Sequence, residues 1–217
     1  MMKLLLATHN RDKIRELAHA LLGLPIEVQS LDDLPTLPEV DETGVTLEEN
    51  AYLKADSAVA HSNLVALADD TGLEVDTLNG APGVYSSRYA GVGVSYADNV
   101  QKLLREMTGV PEAERTARFR CVIALVEPGG RRATAHGVVE GRILDHARGA
   151  GGFGYDPVFL VPEVGKTFAE MSLEEKRTVS HRGRALLRAR ALLQEWYGWQ
   201  DGDGWGGGSP SATGGGS

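Results

Sequence analysis

Two strand-forming runs, Arg118 to Glu127 and Arg131 to Val139, flank Pro128-Gly129-Gly130, a turn composition that folds one run back antiparallel on the other. This hairpin constrains the fold most, because the chain does not begin in the same way. Lys3 to Thr8 reads as a buried strand, His9-Asn10-Arg11-Asp12 breaks the run, and Lys13 to Leu22 shows helical apolar spacing at Ile14, Leu17, Leu21 and Leu22. A strand-helix start joined to a central hairpin calls for an α/β fold around a mixed sheet, with the hairpin able to build a second lobe.

The remaining elements announce themselves at their ends. Thr46-Leu47-Glu48-Glu49 is a capping box, in which the hydroxyl takes one free backbone amide and the carboxylate another, so a helix is expected to about Ala60. A strand over Leu64 to Ala68 then ends in Asp69-Asp70-Thr71-Gly72. Ser95-Tyr96-Ala97-Asp98 repeats the capping signal before a helix through Met107, and Ser172-Leu173-Glu174-Glu175 and Ser180 open two final helices. Pro157 to Val161 is strand-like. Residues 24 to 45, with Asp33, Pro35, Pro38, Glu39, Asp41 and Glu42, read as an irregular exposed connection. Residues 1–197 form the expected domain, and the glycine- and serine-rich residues 198–217 an unstructured tail, with Trp199 and Trp205 as its only large apolar groups.

Net charge −8 over 217 residues excludes a global attraction for nucleic acid, so a polyanion must be met by a local basic cluster or a metal. Cys121, the single cysteine, sits in an apolar run and permits no intramolecular disulfide. No apolar stretch has membrane-spanning length, and the cytoplasm is the expected compartment.

Three segments carry possible chemistry. Thr8-His9-Asn10-Arg11-Asp12-Lys13 lies where a strand hands over to a helix, whose free amides and Lys13 suit phosphate oxygens; equally, Asn10 caps the helix while Arg11 and Lys13 sit in water. Asp69-Asp70 follows an apolar strand, where two carboxylates can hold Mg²⁺ or activate water, although Asp-Asp-Thr-Gly is also a good turn. The run from Gly149 to Asp156 removes side chains so that backbone can approach a ligand, then offers the faces of Phe153 and Tyr155 to a base; the alternative is a hairpin connection with Phe153 in the core. Lys176, His181, Arg182 and Arg184 add positive charge at the last helix, where a solvated face is the competing explanation.

In order and spacing, Thr8-His9-Asn10 with Lys13, Asp69 to Leu73, Gly83 to Tyr89, Gly151 to Pro157, and Ser180-His181-Arg182-Gly183 resemble the inosine triphosphate pyrophosphatase family from residue 3 to about 197. The resemblance implies an elongated mixed sheet with flanking helices, two lobes around a central cleft, a homodimer, and Mg²⁺-dependent hydrolysis of dITP, ITP and XTP to the monophosphate and pyrophosphate. It implies Asp70 as catalytic and metal-binding carboxylate, Asp41 as its metal partner with Glu42 as the neighbouring alternative, and Asp69 acting behind them. Thr8, His9, Asn10, Arg11, Asp12 and Lys13 would form the triphosphate loop, with Thr71 a phosphate contact. Phe153, Gly154, Tyr155, Asp156, Lys176, His181 and Arg182 would form the base and sugar pocket. His9 departs from the small residue common in that loop, and Thr71 from a common serine. Two other readings are disfavoured: a pyrimidine-directed pyrophosphatase of the septum-inhibition type, whose opening loop would carry a Ser-Pro-Arg-Arg-like run, and a sensor without turnover, which has no use for intact Asp41 and Asp70.

Overall fold

The computed structural model describes residues 1–34 and 40–200. Pro35, Pro38, Glu39 and Trp205 therefore lie outside the described residues. Strand β1 (Met2–Leu6) runs parallel to β2 (Ile26–Ser30) on one side and to β3 (Val65–Val75) on the other. Beyond β3 the sheet turns antiparallel through β5 (Thr116–Val126), β6 (Arg132–Ile143), β7 (Phe159–Val161) and β8 (Lys166–Thr167), while β4 (Pro82–Gly83) pairs the far end of β3. The mixed sheet and its central hairpin thus stand as expected. One strand was not expected: Ile26–Ser30 is β2, paired to β1 from Met2↔Ile26 to Leu6↔Ser30, where the sequence reads as an exposed connection. Ile26 and Val28 do alternate with Glu27 and Gln29, but only two apolar residues in a short, half-buried or exposed edge strand leave a weak signal.

The helices begin where their caps stand. Helix α1 (Arg11–Ala20) is capped by Asn10, α2 (Leu47–Ser62) by Thr46, α3 (Tyr96–Glu106) by Ser95, α4 (Leu173–Val179) by Ser172 and α5 (His181–Tyr197) by Ser180. Gly183 is required at the start of α5, because a Cβ there would lie 1.8 Å from the Arg177 carbonyl oxygen. Small side chains Ala51, Ala55 and Ala58 let α2 lie close on one face of the sheet, over Ala66, Ala68, Val122 and Ala124. The opposite face carries two cores. Val65 and Leu67 pack with α1 and α5, and Leu73 and Val75 pack with α3, Phe119, Phe159 and Phe168.

Strand β3 itself corrects the sequence reading. It does not end at Asp69; pairing with β5 continues without a break from Ala66 to Val75, with Asp70 opposite Val122 and Thr71 opposite Cys121. Period-two alternation therefore sends Asp69 and Thr71 to the face of Leu67 and Leu73, between the two cores, and Asp70 to the face of Ala68, beneath α2. The parallel partner β1 stops at Leu6, opposite Leu67, so the pair lies just past the carboxyl end of that strand, where α/β sheets open toward ligands.

Candidate active site

Asp69 and Asp70 are both buried, at 1% and 5% exposure, and occupy different environments. Asp69 Oδ2 accepts from Arg182 Nε (3.2 Å), Arg182 Nη2 (3.0 Å) and the Thr71 hydroxyl (3.2 Å), and lies 3.2 Å from Lys13 Nζ. Burial works to raise its carboxyl, but the charges of Lys13, Arg182 and Lys54 outweigh it and hold Asp69 far below the usual carboxylate range. In Asp70 burial wins, and the carboxyl is raised above that range despite the neighbouring Lys54 ammonium. Adjacent carboxyls pushed in opposite directions are how a site separates a fixed charge from a proton acceptor. The two therefore do not act as one paired metal clamp, since the pleat points them apart.

Lys54 is the residue the sequence reading missed. Its ammonium donates to Asp70 Oδ1 (2.8 Å), Glu42 Oε1 (2.9 Å) and the Asp69 carbonyl (2.7 Å), and the carboxylates in turn raise its pKa against the opposing effect of burial. Glu42 also accepts from Arg88 Nη1 at 3.0 Å. Asn50, one helical turn before Lys54 on α2, places its amide nitrogen 3.5 Å from Asp70 Oδ2, and its oxygen accepts from the Gly44 backbone at 2.8 Å, which ties the Glu42 loop to the helix. A signal was present: Asn50 and Lys54 are polar residues four apart on the alanine face of α2.

Two connected cavities meet at these groups. An inner chamber of about 110 Å³ is walled by Phe119, Phe153, Tyr155 and His181, with Asp70 and Thr71 on its wall. An outer groove of about 660 Å³ is lined by Thr8, His9, Asp41, Lys54 and Arg88. Asn10, Lys13, Glu42 and Ser87 line both. Both cavities carry charged side chains, and the Phe and Tyr rings line only the chamber.

The structure sorts the remaining candidates. Asn10 does cap α1, its Oδ1 accepting from the Asp12 and Lys13 amides at 3.0 and 3.1 Å, yet Lys13 is not in bulk water. Arg11 is exposed, and neither Arg11 nor Asp12 lines either cavity. His9 is exposed at the groove with its ring 3.3 Å from Asp32. Glu42 shares the inner chamber with Asp70, whereas Asp41 is exposed on the outer groove alone. Tyr155 is buried with its hydroxyl donating to the Ser86 carbonyl at 2.9 Å. Asp156 and Lys176 are buried and bonded to each other at 2.6 Å, and Lys176 also reaches Glu16 at 2.8 Å. Glu16, a second residue not singled out from sequence, accepts from Arg182 Nη1 at 2.6 Å. Arg182 is therefore engaged by Glu16, Asp69 and Thr71, which limits the donors it has for a base carbonyl. The glycines preceding Phe153 approach the protein itself: a Cβ on Gly152, at φ +69°, would fall 2.1 Å from Asp156 Oδ2.

His181 is buried against Phe119, with ring centroids 4.5 Å apart and planes at 12°, and its Nδ1 has no hydrogen-bond partner among the described residues. Burial first, then the charges of Arg182 and Lys176, lower its pKa well below the usual histidine value, so it is a neutral imidazole.

Among the described residues no group of three or more His, Cys, Asp or Glu side chains is placed to hold a metal. Glu42 and Asp70 are two hard oxygen donors already gathered around one cationic centre, the Lys54 ammonium. Such a pair suits Mg²⁺, which is commonly held by one or two carboxylates with phosphate and water oxygens completing its shell.

Comparison with known proteins places the chain in a family. The model of the Ham1 family matches residues 4–192, a span that contains all five motifs. The dITP/XTP pyrophosphatase of Geobacter sulfurreducens is 56% identical over 200 residues, covering 92% of this chain and 98% of that protein. The dITP/XTP pyrophosphatase of Desulforamulus reducens is 52% identical over 196 residues, covering 90% and 98%. Of solved structures, a HAM1 protein from Coxiella burnetii superposes with TM-score 0.82 at 42% identity, covering 90% of this chain and 100% of that one. The Ham1 protein of Staphylococcus aureus gives 0.80 at 39% identity, covering 89% and 99%.

Proposed function

Because this chain belongs to the Ham1 family, we propose that its cleft hydrolyses non-canonical purine nucleoside triphosphates, dITP, ITP and XTP, to the monophosphate and pyrophosphate. It is a nucleoside triphosphate pyrophosphatase, and its cellular work is to clear such nucleotides from the pool. The observation that carries the reading is an aromatic-walled chamber that has Asp70, the carboxyl that burial raises, on its wall and shares Lys13 and Glu42 with a charged groove.

The base enters the chamber beside Phe153 and His181, and the triphosphate lies toward Lys13 and Thr8. Asp70 accepts the proton of the attacking water, and its raised pKa makes it the better acceptor of the two aspartates. Asp69 stays ionised and holds Arg182, Lys13 and Thr71 in place through the bonds described above. Lys13 and Lys54 offset charge on the phosphates, which a displacement at the α-phosphorus requires. Glu42 and Asp70, with Asp41 nearby on the groove, would hold Mg²⁺, which would add charge neutralisation when bound. His181, neutral and stacked on Phe119, is suited to donate to a 6-oxygen on the purine, where a 6-amino group leaves that donor unpaired. The chain works as a homodimer in the cytoplasm; these two readings rest on the family resemblance and on the lone reduced cysteine. No described helix is long and apolar enough to cross a membrane.

The test is Asp70→Asn, which changes little volume. Turnover of dITP is expected to fall by roughly two to four orders of magnitude while nucleotide binding persists. Near wild-type pyrophosphate release would remove Asp70 from catalysis.

A further inference from the structure

We propose that Tyr96 is a substrate-contacting residue whose ring holds the purine against Phe153 and whose hydroxyl, bonded to Asn10, latches the mouth of the chamber. The proposal rests on reading the cleft as a nucleoside triphosphate site. Tyr96 is the first residue of α3, whose start is fixed by the Ser95–Asp98 capping box and whose body is anchored by Leu103 and Met107 in the core around Phe119. Asn10 belongs to the loop before α1, which packs in the other core on the same sheet face. The Tyr96 hydroxyl accepts from Asn10 Nδ2 at 2.9 Å, so this bond joins elements anchored in two separate cores, across the mouth of the chamber that both residues line.

The ring faces a defined partner. Its centroid lies 5.8 Å from that of Phe153 at 41°, while Lys176 Nζ and Arg182 Cζ sit 4.7 and 5.5 Å from the Phe153 ring. A planar base held between two rings needs two contact distances of roughly 3.5 Å, about 7 Å in all. The present spacing is too short and too tilted for that. The chamber, at about 110 Å³, is also small beside the ~300 Å³ or more of ordinary ligand sites. Entry of a purine thus requires Tyr96 to move away from Phe153, and the movement breaks its bond to Asn10. Asn10 Nδ2 is then released to donate to the substrate from the residue that caps the phosphate-side helix. With 43% of its surface exposed, Tyr96 is free to make this movement without opening a core.

The ring and the hydroxyl have opposite effects, which separates them experimentally. Pyrophosphate release from dITP is measured for the full chain as wild type, Tyr96→Ala and Tyr96→Phe, with binding of inosine monophosphate and of inorganic pyrophosphate measured by calorimetry. Loss of the ring is expected to raise KM and the Kd of inosine monophosphate about tenfold, with kcat and the Kd of pyrophosphate changing less than about twofold. Loss of the hydroxyl alone removes the latch and is expected to lower KM by about two- to threefold. An unchanged KM in Tyr96→Ala, equal weakening of both ligands, or a KM in Tyr96→Phe raised as far as in Tyr96→Ala overturns the proposal. A wild-type chain that releases no pyrophosphate from dITP overturns the underlying pyrophosphatase reading as well, a result distinct from normal wild-type turnover with an indifferent Tyr96.

Discussion

The Lys54 ammonium stands 2.8 Å from Asp70 Oδ1, and the same ammonium holds Glu42, so one cation keeps a buried and a half-buried carboxylate from repelling each other. Lys54→Met removes the charge that lowers the Asp70 pKa, and that pKa rises further. In the role proposed for it Asp70 must be ionised to accept a proton, so the acid limb of the pH profile of kcat/KM is expected to move to higher pH. The rate at its plateau should fall about 10²- to 10³-fold, as when one preorganised charge is taken from a reacting site. A pH profile that keeps its acid limb in place would separate Lys54 from Asp70.

Arg182 is fully buried and engaged by Asp69 and Glu16, so its removal takes the guanidinium from a buried and a half-buried carboxylate and leaves them only Lys13 and Lys176. Breaking such a pair costs about 3–5 kcal/mol. Arg182→Ala is therefore expected to lower the melting temperature on the order of 10 °C for a chain of this size, besides losing activity. A melting temperature close to wild type would show that the network contributes little to the fold.

His181 is neutral in the folded protein because burial and two cations oppose its protonation. The unfolded chain takes up that proton below about pH 6.5 and the folded one does not, so stability falls as pH drops through that point. The expected loss is about 1.4 kcal/mol per pH unit from this one group. Denaturant unfolding at a series of pH values should show this slope in the wild type and lack it in His181→Gln.

Trp199 lies two residues beyond α5, is half-buried against the core of β1, α1 and α5, and stacks on Tyr197 with centroids 4.8 Å apart. Ending the chain after Gln200 is expected to leave the melting temperature unchanged, since residues 201–217 carry little apolar surface. Ending it after Tyr197 should cost about 1 kcal/mol through the lost aromatic pair. Equal melting temperatures for the two truncations would contradict the packing of Trp199.

Local signals recovered most of the fold. Thr46, Ser95, Ser172 and Ser180 each mark a helix start because a capping hydroxyl acts on amides within its own turn. The β5–β6 hairpin was legible for the same reason. What escaped depends on distant partners. Asp69-Asp70-Thr71-Gly72 has turn composition, but pairing along β5 continues the strand through it. Strand β2 exists because β1 supplies its partner. At the site, the family motifs pointed to Asp70, Lys13 and His181. Glu16 and Tyr96 belong to no motif, and Lys54 is marked only by Asn50 four residues before it; their contacts appear when Arg182, Phe153 and Asp70 are brought to them.

The central claim is tested most directly by product analysis with a panel of substrates. Wild-type chain is incubated with dITP, XTP, GTP and ATP, with Mg²⁺ and with a chelator, and the released phosphate species and kcat/KM are measured. The account predicts pyrophosphate and the monophosphate from dITP and XTP, dependence on Mg²⁺, and efficiency on ATP lower by about an order of magnitude or more, as expected for an unpaired buried donor. Equal efficiency on ATP and dITP, or release of orthophosphate in place of pyrophosphate, would contradict it.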